Sequence, residues 1–262
     1  MTGTFLGRVW VAAVAAVMLA AAQAAAAPIS VLIVQADGSP PTAELLATGD
    51  FSSVDVFDAE SGTPTLAQLQ GYDAVLAYTN SEPADPAGLG DVLKDYVDGG
   101  GGLVMKTYAF SNPWAIGGGI TGTGYAPLVN VGVNGDVSGN IVQTAASPIF
   151  DGVNLAALTY YHNSNSAHPA LDATATLLAD DGGAGIPLIA INAAGNIIGN
   201  NMFPGNCCGG NNDEFYRLLA NELLVVAGES ITPVPEPGSL ALLGASFVGW
   251  TILRRRRDRT AA

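Results

Sequence analysis

The feature that most constrains the fold is a series of short apolar segments that alternate with helical patterns between residues 29 and 105. The helical pattern at 86–97 places Leu89, Val92 and Leu93 on one face. The apolar segments fall at residues 29–34, 54–57, 74–78 and 103–105. Strands that are mostly apolar and are separated by helices are typical of a parallel sheet covered on both faces. The sequence therefore predicts an α/β fold in which helices flank a mostly parallel sheet.

The second half of the body has a looser pattern. Residues 111–140 are rich in Gly, Asn and Thr, which predicts long loops and a hairpin. The clearest helical pattern of the body covers residues 213–227 and is ended by Gly228. Further strands are predicted at 158–162, 175–179, 186–191 and 196–200.

The first 26 residues have the pattern of a signal peptide. Arg8 precedes an apolar run over 9–22, and two Ala-x-Ala sites follow it. This pattern predicts export through the Sec machinery and a mature body of one domain over 27–229.

The last residues have a pattern typical of a membrane anchor. Fifteen uncharged residues from 239 to 253 reach about 22 Å as a helix. Four consecutive arginines follow them: Arg254, Arg255, Arg256 and Arg257. This pattern predicts a single C-terminal transmembrane helix with an arginine-rich cytoplasmic tail over 239–262, joined to the body by a linker over 230–238.

The charge of the body excludes one class of partner. The region between the two terminal segments holds only three basic residues, Lys94, Lys106 and Arg217, against 21 acidic residues. Because phosphate backbones require a basic surface, nucleic acid is excluded as a partner.

The two cysteines, Cys207 and Cys208, are adjacent. They allow a vicinal disulfide, an intermolecular bridge or two free thiols. Asn200, Asn201 and the segment 206–213 offer oxygen ligands for Ca²⁺, but without the regular spacing of a known loop. The sequence therefore predicts no metal and no cofactor, with Ca²⁺ as the alternative.

One resemblance concerns the C-terminal segment. Pro235, Glu236 and Pro237 precede the short apolar run and the arginine cluster, and this order resembles the PEP-CTERM sorting signal. The resemblance implies an exosortase that cuts near the Pro-Glu-Pro. It also implies a transient inner-membrane precursor and a destination at the cell surface or extracellular matrix of a Gram-negative bacterium.

A second resemblance concerns the body. The stretches LQGYDAVLAYTN, LKDYVDGGGGLVM and SPIFDGV are similar to those of the class I glutamine amidotransferase-like fold, including its ThuA-like branch. The resemblance implies a flavodoxin-like arrangement, with a nucleophilic Cys after the predicted strand at 103–105. Here Lys106 to Phe110 follow that strand, and 203–206 retain only the Phe and Pro of the family's Phe-His-Pro-Glu stretch. The nucleophile and the base are absent, so glutaminase activity is not expected.

Candidate ligand residues come from the ends of the predicted strands. In an open parallel sheet, ligands bind outside the carboxyl ends of the strands. Asp37, Asn80, Lys106, Tyr108 and His162 lie at such ends and are predicted to line a ligand pocket. A structural role in turns or ion pairs is the alternative for these residues.

Two functions follow from these observations. The missing nucleophile favours a non-catalytic binding module on the surface or in the matrix, with extracellular polysaccharide as its partner. The ThuA-like resemblance suggests the alternative, a hydrolase or isomerase acting on a sugar. A pocket that holds His162, Lys106 and two carboxylates together would favour that alternative.

Overall fold

The computed structural model describes residues 27–182 and 184–231. In the first half, strands and helices alternate: β1 (Ile29–Ala36), α1 (Thr42–Ala47), β2 (Phe51–Asp58), α2 (Leu66–Leu69), β3 (Ala74–Thr79), α3 (Pro86–Asp98) and β4 (Gly102–Lys106). The second half contains β5 (Leu128–Val129), β6 (Ile141–Gln143), β7 (Ala170–Leu171), β8 (Thr176–Asp181), β9 (Ile186–Ile191), β10 (Ile197–Asn200) and α4 (Asp213–Val226).

Eight of these strands form one mixed sheet in the order β2-β1-β3-β4-β10-β9-β8-β6. The strands β2, β1, β3 and β4 are parallel to one another, as the apolar pattern of the first half predicts, and β10 runs parallel to β4. The strands β9, β8 and β6 extend the sheet in antiparallel pairs. The predicted α/β class with a mostly parallel sheet is therefore confirmed.

The helices cover both faces of this sheet. Helices α1 and α4 pack on the face that carries Val31, Ile33 and Val104. Helices α2 and α3 pack on the opposite face, with Val75 and Leu103. Each of these five strand residues is fully buried, because a strand covered on both sides exposes neither row of side chains.

The helix ends are set by local sequence. Asp85 caps α3 by accepting a hydrogen bond from the Gly88 amide at 2.9 Å, and Pro86 occupies the first turn. Asn212 caps α4 by accepting one from the Phe215 amide at 3.2 Å. These capped ends place the start of the two longest helices of the described residues where the sequence predicts them.

The prediction of a strand at 158–162 is wrong. Only Tyr161 makes a strand-like bridge there, with Phe203. The Thr159 and Tyr161 amides donate instead to the side chains of Asn212 and Asn211, at 3.2 and 2.9 Å. Asparagine side-chain oxygens thus accept the hydrogen bonds that these backbone amides would otherwise donate to a neighbouring strand.

The transmembrane helix is a correction to the predicted fold class. Within 27–182 and 184–231 no helix is long and apolar enough to cross a membrane, and the longest, α4, has 14 residues. A span requires about 20 residues. The stretches on which the anchor and the signal peptide were predicted, 239–262 and 1–26, lie outside the described residues.

Candidate functional site

The carboxyl ends of the parallel strands lie along one edge of the sheet, called here the carboxyl edge. Asp37 follows β1 and Asn80 follows the neighbouring β3. The side-chain Nδ2 of Asn80 donates to Asp37 Oδ1 at 3.3 Å. Burial and the nearby Asp37 carboxylate together raise the pKa of the Tyr78 phenol, so this hydroxyl stays protonated. The structure therefore brings together two of the predicted ligand residues.

A second polar group at this edge is built around Asn163. The Tyr108 hydroxyl donates to Asn163 Oδ1 at 3.1 Å, and Asn163 Nδ2 donates to the Tyr161 hydroxyl at 2.8 Å. The Asn163 amide itself donates to Ser166 Oγ at 3.2 Å. One carboxamide thus links two tyrosines and is fixed in orientation by its own loop.

Aromatic rings connect the two groups. Phe203, which is buried, has ring-centroid distances of 5.8 Å to Tyr78, 5.5 Å to Tyr108 and 5.9 Å to Tyr161. Trp114 packs edge-on against Tyr108 at 5.4 Å. These spacings are typical of favourable aromatic pairs. Trp114 and Tyr161 remain half-exposed, and we call these two rings the aromatic rim.

The predicted ligand residue His162 lies beside the rim. Its Nδ1 is 2.6 Å from Asp136 Oδ1, and the hydrogen bond holds the pKa of the Asp136 carboxyl below its usual range. His168 Nε2 lies 3.2 Å from the Asp136 carbonyl oxygen. Within the described residues no three His, Cys, Asp or Glu side chains are grouped so that they could hold a metal ion.

Lys106 does not join these residues. It is the last residue of β4 and points, like Val104, toward the face under α4. Its Nζ lies 3.4 Å from Glu222 Oε2 and 4.7 Å from the centroid of the Phe215 ring. Burial lowers the pKa of Lys106 and raises that of Glu222, and their mutual attraction opposes both shifts. Lys106 therefore contributes to the core rather than to the carboxyl edge.

The loop after Phe203 packs against the segment that follows β1. The Asn206 amide donates to the Ser39 carbonyl at 3.1 Å, and the Asn206 side chain donates to Glu44 Oε1 at 3.0 Å. Cys207 and Cys208 are joined in a disulfide within this exposed loop. Of the three states that the sequence allows, the structure thus contains the vicinal disulfide.

All three basic side chains of the described residues have carboxylate partners. Lys94 Nζ lies 2.5 Å from Asp98 Oδ2, and the Arg217 guanidinium lies 2.5 Å from an Asp50 oxygen. Lys106 has its buried pair with Glu222. Within the part of the chain that the structure describes, no unpaired cation remains to receive an anion.

Several residues of the site were not predicted from the sequence. Trp114 and Asn163 lie in loops without periodicity, and Tyr161 lies in the segment that was wrongly predicted as a strand. Asn163 is 55 positions from the Tyr108 that it contacts. The one available signal was the short polar stretch after His162, which is typical of a turn.

Residues 233–257 match the PEP-CTERM protein-sorting motif. The chain carries a PEP-CTERM sorting motif. This motif indicates export and exosortase-dependent sorting to the surface of Gram-negative bacteria. The predicted sorting signal is thereby confirmed, and it lies outside the body that carries the carboxyl edge.

The body is similar to solved structures at low sequence identity. A protein described as ThuA-like from Bacteroides uniformis is 17% identical, with a TM-score of 0.51, and the match covers 79% of this chain and 94% of that one. A protein described as a component of GMP synthase from Thermoplasma acidophilum is 13% identical, with a TM-score of 0.49, and the match covers 76% and 95%. Among curated proteins none matches the chain. The first likeness supports the fold alone.

Proposed function

We propose that this protein is an exported surface or matrix protein that uses its carboxyl edge to bind a glycan without transforming it. The observation that carries the proposal is the aromatic rim around Asn163. The Trp114 and Tyr161 side chains are half-buried, and the amide and hydroxyl groups beside them are held by fixed hydrogen bonds. Apolar surface with a few oriented polar groups is the usual composition of a small-molecule site.

A sugar ring fits this combination. Its C–H faces pack on aromatic rings, and its hydroxyls both donate and accept hydrogen bonds. Asp136, with His162 beside it, adds an exposed carboxylate acceptor near the rim. Asp37 and Asn80, on the other side of Phe203, extend the polar surface along the strand ends.

The charge of the body narrows the class of glycan. The described cations are each paired with a carboxylate, and acidic residues dominate the body. An anionic polymer would be repelled by these acidic residues and would meet no unpaired Lys or Arg side chain among the described residues. The proposed ligand is therefore a neutral or amine-bearing polysaccharide.

The catalytic alternative is a sugar hydrolase or isomerase. The contact between His162 and Asp136 favours it, because a carboxylate can orient a histidine base. This alternative also requires Lys106 in the same pocket as His162. Lys106 lies instead under α4, paired with Glu222. The position after β4, where the resemblance implies a nucleophile, holds Thr107 and Tyr108. We therefore favour binding, with no cofactor.

The route to the surface is part of the same proposal. Residues 1–26 direct Sec-dependent export, and the precursor passes through the inner membrane before the exosortase acts on the sorting motif. Intact-mass measurement on protein from an exporting host tests this route. A product that begins near residue 27 and ends near the Pro-Glu-Pro is expected, and a full-length product would contradict it.

Glycan binding is tested with the mature protein purified from such a host. Trp114 is the single tryptophan between residues 27 and 233, so its fluorescence reports directly on the rim. A neutral glucan and a polymer of glucosamine should change this fluorescence, and a polyuronate should not. Loss of at least about tenfold in affinity is expected for Tyr161→Ala, read by calorimetry.

The matched control is Tyr125→Ala, a half-buried tyrosine that contacts Lys94 and Asp98 away from the rim. It should bind as the unaltered protein does. Absence of binding to all three polymers, or equal losses in both variants, would contradict the proposal. Release of reducing ends from a bound polymer, abolished by His162→Ala, would establish the catalytic alternative instead.

A further inference from the structure

The last helix of the body connects the two edges of the sheet. Helix α4 begins beside the carboxyl edge, where the Asn211 side chain donates to the carbonyl oxygens of Phe203 and Gly205 at 3.1 and 3.3 Å. It ends at the opposite edge. A Cβ atom placed on Gly102, the first residue of β4, would lie 2.2 Å from the Val226 carbonyl oxygen. We call the end of the sheet where β1, β3 and β4 begin the amino edge.

The length of α4 separates these edges. Fourteen helical residues span about 21 Å. The helix is closed by Gly228 at φ 79°, and the Glu229 amide donates to the Leu224 carbonyl at 2.9 Å. Ile231, the last described residue, still packs against the apolar core on this side of the sheet. The chain therefore leaves the body near the amino edge.

The tether from this point to the sorting motif is short. Three residues lie between Ile231 and Pro235, and the four steps from Ile231 to Pro235 reach at most about 14 Å even when fully extended. That is less than the length of α4, so the tether cannot carry the attachment point to the carboxyl edge. The mature N-terminus lies at the same end, because Ile29 opens β1.

We infer that the sorting motif, where it holds the chain at the cell surface, fixes the body by the amino edge and presents the carboxyl edge, with Trp114 and Tyr161, as the outward-facing interaction surface. The partner that this orientation suits is a polymer lying beyond the layer of attached proteins. A component of the surface from which the protein projects would meet the amino edge instead. This orientation rests on the carboxyl edge being the binding surface proposed above, but it is the same whichever glycan the rim binds.

The test compares two epitope insertions in the full chain, expressed in a host that exports and sorts it. One insertion, between Gly209 and Gly210, lies in the exposed loop at the carboxyl edge. The other, between Gly99 and Gly100, lies in the exposed turn before β4 at the amino edge. Both variants are first required to bind the antibody equally after release from the cells by detergent.

On intact cells the carboxyl-edge epitope should bind at least about fivefold more antibody than the amino-edge epitope. Inserting 20 Gly/Ser residues after Ile231 adds a flexible tether of about 25 Å and should bring the two signals together. Equal antibody binding to the two epitopes on cells without the Gly/Ser insertion would overturn the inference. Stronger antibody binding to the amino-edge epitope would also overturn it. Recovery of the protein only in the medium would overturn it as well, because no attachment point would then exist.

Discussion

Lys106 Nζ lies 3.4 Å from Glu222 Oε2, and neither side chain is exposed to solvent. This contact links the end of β4 to the middle of α4 across 116 positions of sequence. Asn200 Nδ2 donates to the other Glu222 oxygen at 2.5 Å, so the carboxylate is satisfied on both sides. A buried ion pair therefore ties the end of β4 to α4.

Replacing Lys106 with Met should destabilise the protein strongly. Removal of the cation leaves Glu222 buried with only Asn200 as a partner, and breaking a buried pair in this way costs about 3–5 kcal/mol. The free energy of unfolding, measured by chemical denaturation, should fall accordingly. Adding Glu222→Gln should recover most of the loss, because no buried charge then remains. The control Lys94→Met removes a solvent-exposed pair and should have a much smaller effect. Similar losses for both lysines would argue against this account.

The link between Tyr108 and Asn163 can be measured by a double-mutant cycle. Burial raises the pKa of Tyr108 to about 12, and Asn163→Ala would leave its hydroxyl buried without that partner. A cost of about 1–3 kcal/mol is expected. In the Tyr108→Phe background the same substitution should cost less, since no hydroxyl is left unpaired. Equal costs in the two backgrounds would show that the hydrogen bond contributes nothing to stability.

Gly205 is required by close approach rather than by its backbone angles. A Cβ there would lie 2.5 Å from the Phe203 ring and 2.8 Å from Asp37 Oδ2. Because Phe203 is enclosed by three tyrosines, it cannot move aside, and Gly205→Ala should destabilise by about 1–3 kcal/mol. Gly38→Ala is the control, since a Cβ there meets nothing within 4 Å. An unchanged melting temperature for both variants would contradict the packing described.

Val75 tests the central position of β3. It is fully buried, with Leu32 and Leu103 as its neighbours on the flanking strands. Val75→Asp places a charge where both faces are covered and should cost at least about 3 kcal/mol. Val56→Asp, on the edge strand β2 and 44% exposed, should change stability by about 0.5 kcal/mol or less. A mild effect at Val75 in thermal unfolding would contradict its placement.

Asp73 should make stability depend on pH in the acid range. The Ser30 amide and hydroxyl donate to Asp73 Oδ2 at 2.7 and 2.8 Å and lower the pKa of this carboxyl. A carboxyl with a lowered folded pKa stabilises the protein above its unfolded pKa of about 4, and loses this contribution as the pH falls through the folded pKa.

The difference in melting temperature between the unaltered protein and Asp73→Asn should therefore be largest near neutral pH and should close below about pH 4. The control is Glu82→Gln, at an exposed loop position. It should leave the melting temperature unchanged both near neutral pH and at low pH. A difference for Asp73→Asn that stays constant from pH 7 to pH 3 would show that the hydrogen bonds from Ser30 do not act through the charge.

The sequence by itself determined the parallel core. The apolar segments at 29–34, 74–78 and 103–105 became β1, β3 and β4, and the patterns at 86–97 and 213–227 became α3 and α4. Such patterns are local and repeat with the period of the element, so they are visible without knowledge of the fold. The Pro-Glu-Pro signal and the scarcity of basic residues are likewise properties of the chain itself.

Only the tertiary structure decided which side chains meet. Lys106 and Tyr108 are two residues apart, yet the first points under α4 and the second reaches Asn163 at the carboxyl edge. The direction of each depends on how the chain turns after β4 and on what packs above it. Asn163, Trp114 and Asp136 come from loops whose positions are set by contacts across tens of residues, and such contacts leave no periodic trace in the sequence.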